Sequence, residues 1–284
     1  MASLLVLAAL CCVSCTGAVA SVAAPAHRHR PTVKSKTRAK ARPKTPSAQP
    51  DLTAALRPLI KDDGGHFAVA VDDLTTGSQA AYGGTREFVT ASIVKVDILV
   101  TLLYQAQEAG QAITPEDQDL ATTMIENSDN DSASDLYDDV GGAGAIDDAN
   151  RVCGLTETTA GTAGYWGLTS TTVDDQMRLL RVVFTRPSPL SSASQEYIQS
   201  LMSQVEADQQ WGVTAVADPG TRFMVKNGWL PNPYLWEINS LGEVTHDGQR
   251  MLIAVLSDDN ASEGSGISLV EDVAEAAANA MTSS

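Results

Sequence analysis

Ser92 and Lys95 stand three residues apart inside an apolar run from Phe88 to Leu103. On a helix, side chains three apart share a face, so a hydroxyl and an amine would meet where water is scarce. Burial disfavours the ammonium form and lowers the pKa of a lysine. A neutral amine can take the proton of a neighbouring alcohol and make it a nucleophile without histidine. The pair predicts acyl-transfer chemistry. Residues 51–284 hold only two other lysines, Lys61 and Lys226. Lys226 lies in Phe223–Trp229, a strand-like stretch containing Lys226-Asn227-Gly228, and Ser128-Asp129-Asn130 falls between the two, just after a predicted helix end. Each has an ordinary reading alone: Lys95 snorkelling to water, Ser128-Asp129-Asn130 capping the next helix, Lys226 on a strand surface before a bulge. S-x-x-K, S-D-N and K-x-G in that order are much harder to assign to chance.

Those residues must be brought together by elements far apart in the chain. The pattern predicts a short amphipathic helix over 51–61, a strand over 67–74, a turn at Thr75-Thr76-Gly77 and a returning strand over 79–82. Helices are expected over 92–108, 114–127 with Pro115 at its first position, 132–140, 144–152, 171–184 and 192–206. Strands return at 221–229, 234–241 and 250–257, with Gly242-Glu243 and Asp247-Gly248 as turn material between the last two, and a helix closes the chain over 268–281. Strands from both ends with helices between them predict an α/β (α+β) sandwich: one antiparallel sheet built from both chain ends, flanking helices and an inserted all-helical subdomain.

The three motifs, in this order, resemble those of the class A β-lactamases and related penicillin-recognising serine enzymes. The resemblance covers roughly residues 51–284 and extends to the order of elements. It implies that Ser92 is acylated, Lys95 activates it and Ser128 relays a proton to the leaving nitrogen. Asn130 would hold the amide side chain of the substrate, and Lys226 its carboxylate, with Asn227 beside it. The backbone N–H groups of Ser92 and Trp229 would form the oxyanion hole, with Gly228 permitting close approach. Asp129 reads as structural, holding its turn through backbone N–H groups.

Two departures stand out. The middle of the third motif is Asn227 where the family has Thr or Ser, and Trp229 is large for a residue facing a pocket. More seriously, the family carries a glutamate in an E-x-x-L-N loop that activates the water clearing the acyl-enzyme. Here the stretch 154–169 is short and lacks that motif. Glu157 is its only carboxylate, a candidate general base or a solvated loop charge. Tyr165-Trp166 either shields the site or is loop packing. The implied activity is opening of a β-lactam amide through acyl-Ser92 with weak deacylation. The alternatives are a D-alanyl peptidase-like or deacylation-deficient penicillin-binding protein, and a non-catalytic cell-wall binding protein.

Composition sets further bounds. Residues 1–24 read as a secretion signal, although the positive start is missing. Residues 25–50 hold eight Lys/Arg and no acid, and are rich in Pro, Ser and Thr; they read as a basic disordered linker. Residues 51–284 hold 11 basic and 35 acidic residues, a net of −24, which argues against nucleic acid as a partner of this part. An anionic cell-wall polymer is a candidate partner of the linker, and a β-lactam or peptidoglycan-like molecule of the site. The chain is expected to be secreted and monomeric, with no membrane span. Cys15 is a possible lipid-attachment site, and Cys153 is the one cysteine beyond the leader. His27, His29, His66 and His246 are too scattered for a zinc site or a Ser-His-Asp triad, so neither metal nor cofactor is expected.

Overall fold

The structure, a computed structural model, describes residues 51–60 and 66–283. The expected leader, the basic linker, Cys15 and Lys61 lie outside them.

An antiparallel five-stranded sheet forms the frame. Its strands are β1 (His66–Asp73), β2 (Gln79–Tyr82), β5 (Met224–Asn232), β6 (Leu235–His246) and β7 (Gln249–Asn260), in the spatial order β2-β1-β7-β6-β5. The N-terminal and C-terminal halves thus meet at the β1–β7 pair, where Ala70 opposes Ala254. Side chains alternate between faces along a strand, and the two faces bury different neighbours. Phe67, Val69, Val71, Ile253, Val255 and Ile238 pack against α8 (Glu263–Thr282) and α1 (Leu52–Leu56). The α8 residues that meet them, Val270, Val273, Ala274 and Ala277, recur at three- and four-residue spacing, one face of a helix. Ala68, Ala70, Leu252, Ala254 and Leu256 line the opposite face and join the helical core.

That core comes from the insert between β2 and β5. It comprises α2 (Val94–Glu108), α3 (Pro115–Glu126), α4 (Asn130–Asp139), α5 (Gly142–Cys153), α6 (Val173–Phe184) and α7 (Ser192–Met202). Every residue of α2 from Val94 to Leu103 is buried, so it is a core helix surrounded by the others. Thr114 and Asp117 cap α3 reciprocally, with Pro115 at its first position.

The expected architecture therefore stands, with local differences. Gly242-Glu243 is not a turn. β6 runs through it to His246, and the β6–β7 hairpin turns on Asp247-Gly248 alone, both at positive φ (49° and 71°), as a two-residue loop of matching twist requires. Gly242 fits inside the sheet because a Cβ there would lie 2.1 Å from the Met224 carbonyl oxygen. The predicted α7 stops at Met202, short of Glu206. Two three-residue strands had no counterpart in the sequence reading: β3 (Glu87–Val89) and β4 (Ser170–Thr172) pair with each other, Phe88 opposite Thr171.

Candidate active site

β3 leads straight into the first motif. After it the chain makes a 3-10 turn, Ala91–Ile93, and only then enters α2. Ser92 thus sits on the turn, half-buried, while Lys95 lies in the first turn of the α-helix and is fully buried. Ala91 holds a left-handed backbone (φ 48°), a conformation that costs a non-glycine residue about 1–2 kcal/mol. The turn is held by others. Asn239, on the inner face of β6, donates from Nδ2 to the Val89 and Thr90 carbonyls at 2.9 and 3.0 Å, and the Thr90 N–H donates to the Thr169 carbonyl at 2.9 Å. Nothing in the sequence singled out Asn239; the only sign was a polar residue at an inward position of a buried strand.

β5 meets this turn through Gly228. A Cβ at that position would lie 2.8 Å from the Ile93 nitrogen, 2.8 Å from the Thr90 oxygen and 2.9 Å from the Ser92 nitrogen. Only glycine lets the strand approach so closely. Lys226 and Gly228 share the inner face of β5, two residues apart. Asn227 and Trp229 therefore point the other way, and this corrects their expected places. Asn227 is fully buried and its Nδ2 donates to the Gln209 and Trp211 carbonyls at 2.7 and 3.0 Å, so it fastens the 209–211 segment to the sheet. Trp229 packs its ring against Trp211, centroids 6.1 Å apart. The size of its side chain does not narrow the Ser92 face.

The second motif divides its labour. Asp129 caps α4, its Oδ1 accepting from the Ser132 N–H at 2.7 Å. Ser128, at φ 55°, and Asn130 turn towards Lys95. The Lys95 Nζ lies 2.6 Å from the Ser128 carbonyl oxygen, 2.8 Å from Asn130 Oδ1 and 3.2 Å from Ser128 Oγ. Lys226 Nζ donates to the same Ser128 Oγ at 3.0 Å. Two fully buried amines thus share one hydroxyl, and among the described residues neither forms an ion pair with a carboxylate. Burial lowers the pKa of Lys95 to about 7, against a small opposing pull from Asp129. Burial, and then the charge of Lys95, drives Lys226 well below an ordinary lysine. Both cannot carry a proton comfortably at neutral pH. A neutral Lys95 has two N–H groups for the two carbonyl-type oxygens and a lone pair free to accept from a hydroxyl.

The Ser92 hydroxyl makes no hydrogen bond among the described residues; in this resting arrangement Lys95 is bonded to Ser128 and Asn130 instead. Glu157 does not join the site: its side chain is exposed, and its backbone N–H donates to the Asp175 carboxylate at 2.7 Å. What lies over Lys95 from the short loop is Trp166, whose ring centroid is 4.9 Å from Nζ. A cavity of about 450 Å³ lined by Leu103, Ile113 and Tyr197 lies in the helical region and touches none of these residues. His66 meets Asp258 and Asp259 at 3.0 and 3.2 Å on the surface, a grouping that sequence spacing did not suggest, but Arg86 also binds Asp258 and supplies its counter-charge.

The fold is that of the penicillin-recognising serine enzymes, and it sets Ser92 on a turn, one hydroxyl between two buried lysines and Gly228 against that turn. The sequence matches the model of the Beta-lactamase enzyme family over residues 51–117 and 107–281, and the chain belongs to that family. Among solved structures, it resembles a class A beta-lactamase from Bacteroides cellulosilyticus DSM 14838 (TM-score 0.71, 17% identity, 84% of this chain and 100% of that one). It also resembles PBP-A (TM-score 0.70, 18% identity, 82% of this chain and 96% of that one). A Mycobacterium tuberculosis H37Rv protein named "Putative lipoprotein LppW" is 26% identical over 204 residues. That match spans 66% of this chain and 64% of the length of the curated relative.

Proposed function

We propose that residues 51–284 form a serine hydrolase that opens a β-lactam through an acyl-Ser92 intermediate and releases it slowly. The observation that carries this reading is the neutral-leaning Lys95 amine, fully buried, three residues after a half-buried serine on a glycine-backed turn. In acylation Lys95 accepts the Ser92 proton as Oγ bonds to the lactam carbonyl carbon. The developing oxyanion accepts from the Ser92 and Trp229 N–H groups, one such donor being worth about 3 kcal/mol. As the C–N bond breaks, the Ser128 hydroxyl gives its proton to the departing nitrogen and recovers one from Lys95. Asn130 Nδ2 and Lys226 hold the amide and carboxylate of the substrate. Asn227 has no part in this scheme, its amide being engaged with backbone.

Slow release follows from the loop. Among the described residues no carboxylate is a partner of Lys95 or Ser128, and a positioned base typically supplies about 10²–10⁴-fold. A D-alanyl peptidase-like or penicillin-binding role is the second reading, favoured by that same missing base. One solved structure of a PBP-A point mutant is described as an acyl-enzyme complex with penicillin-G. We further propose that residues 1–24 export the chain and that residues 25–50 tether the folded part near the cell wall. Attachment of lipid at Cys15 accords with the relative that is named a lipoprotein.

Intact-protein mass spectrometry after exposure to penicillin, beside nitrocefin kinetics, tests this. A long-lived adduct with turnover far below acylation is the expected result. Ser92→Ala should take no label, and persistent labelling would reassign the nucleophile. No adduct and no hydrolysis in the wild-type protein would leave a cell-wall binding protein in its place.

A further inference from the structure

The short loop is firmly held. Thr159 pairs with Ser170 through two backbone hydrogen bonds, 2.9 and 3.0 Å. The Ala160 N–H donates to Asp147 Oδ1 at 2.8 Å, the Gly161 N–H to Thr169 Oγ1 at 3.0 Å, and the Tyr137 hydroxyl to the Gly161 carbonyl at 2.7 Å. The Thr169 carbonyl accepts from Thr90, two residues before Ser92. Trp166 is carried on this frame, and its Nε1–H donates to Ser134 Oγ on α4 at 3.1 Å. That bond lays the indole face over the amine of Lys95.

Nζ thus faces the second motif on one side and the loop on the other. Three oxygens lie near it: Ser128 O at 2.6 Å and Asn130 Oδ1 at 2.8 Å take the two N–H groups of the neutral amine, and Ser128 Oγ is farther off at 3.2 Å, so the lone pair stays available to a hydroxyl or a water. The indole covers the amine from the loop side. An ammonium gains from an aromatic face, and an apolar ring offers no hydrogen bond to water on the side it covers.

We propose that Trp166 sets the lifetime of the acyl-enzyme by occupying the side of Lys95 from which a hydrolytic water would be activated. This rests on the acyl-Ser92 reading above. Deacylation requires a water oxygen to bond to the ester carbon while one of its protons passes to a base. The acyl C–Oγ bond then breaks, Oγ takes the proton from that base, and the acid leaves. Among the described residues, Lys95 is the group at hand that can carry this proton, and the indole stands over its amine, ring centroid 4.9 Å from Nζ. Trp166 is a positioning residue in this scheme; it touches the base, not the substrate.

The test follows the penicillin adduct by intact-protein mass spectrometry in four proteins. In the wild type the adduct forms and persists. In Trp166→Ala it forms and decays at least tenfold faster. Trp166→Phe, which keeps an aromatic lid, restores most of the lifetime. Ser134→Ala, which frees the indole without altering the loop, falls between, and serves if Trp166→Ala does not fold. The pH midpoint of acylation also rises in Trp166→Ala, because water then reaches Lys95; a merely structural role would leave it in place. Equal decay in all four proteins, or a Phe variant as short-lived as Ala, overturns the assignment to Trp166 while leaving acyl-Ser92 intact. Absence of any wild-type adduct removes the acyl-serine reading and this proposal with it.

Discussion

Lys95 and Lys226 present opposite demands on one proton. Lys95 must be neutral to accept the Ser92 proton, so acylation should rise with pH through about 7, where burial has put its pKa. Lys226 attracts a carboxylate only when charged, and burial together with Lys95 favours its neutral form. A substrate bearing a carboxylate should therefore show a second, descending limb that a neutral ester of similar size lacks. Acylation rates of the two substrates across pH 5–9 check this; identical profiles would remove Lys226 from carboxylate binding. A second titrating group lies in the core. Both oxygens of Asp97 are buried with no hydrogen-bond partner among the described residues, and burial, then Asp175, raises its pKa to about 8. From pH 4 to 8 the unfolded chain has lost this proton while the fold retains it. Asp97 therefore makes stability fall by about 1.4 kcal/mol per pH unit across that window and not above it. Asp97→Asn should remove the slope. Urea unfolding at pH 5 and pH 7 measures it as a difference between the two proteins, in which the slopes of groups common to both cancel. A difference that does not change with pH rejects a neutral buried Asp97.

At the scale of elements the site is a contact between one strand and one turn. Gly228 makes that contact possible, and Gly228→Ala would push a methyl carbon against three backbone atoms of the Thr90–Ile93 turn at 2.8–2.9 Å. Backbone cannot swing aside as a side chain can, so β5 must retreat from Ser92. Acylation should fall by about 10²-fold or more, as expected when an oxyanion donor is displaced. The fold should persist, since the sheet core lies elsewhere; unchanged acylation in this variant would place the oxyanion hole somewhere other than between Ser92 and Trp229. Much of this arrangement is written in the sequence: three motifs in order, strands at both chain ends, and a capped α3. What was not legible has physical reasons. β3 and β4, at three residues each, are too short to show alternation, and their pairing joins positions 87–89 to 170–172. The outward aim of Asn227 and Trp229 follows from the two-residue period of β5, which a reading by motif alone passes over. Trp166 reaches Lys95 only through the folded loop, and no spacing along the chain encodes that meeting.

The whole molecule is divided by charge more sharply than by fold. The family match and the described site lie within 51–284, where the net charge is −24, while all eight basic residues of 25–50 lie outside it. A polyanion is repelled by the first and attracted by the second, and both effects weaken as salt shortens the screening length from about 10 Å at 0.1 M to about 3 Å at 1 M. The proposed chemistry uses no residue of the basic segment. Deleting residues 25–50 should therefore leave the rate of acyl-Ser92 formation within about twofold, a barrier change of about 0.4 kcal/mol. The same deletion should abolish retention on a polyphosphate resin at low salt. The undeleted protein should bind there and elute as salt rises. Equal retention of both would assign the polyanion contact to the acidic folded part, against its net charge. A large fall in acylation would mean that the segment contributes to the site itself.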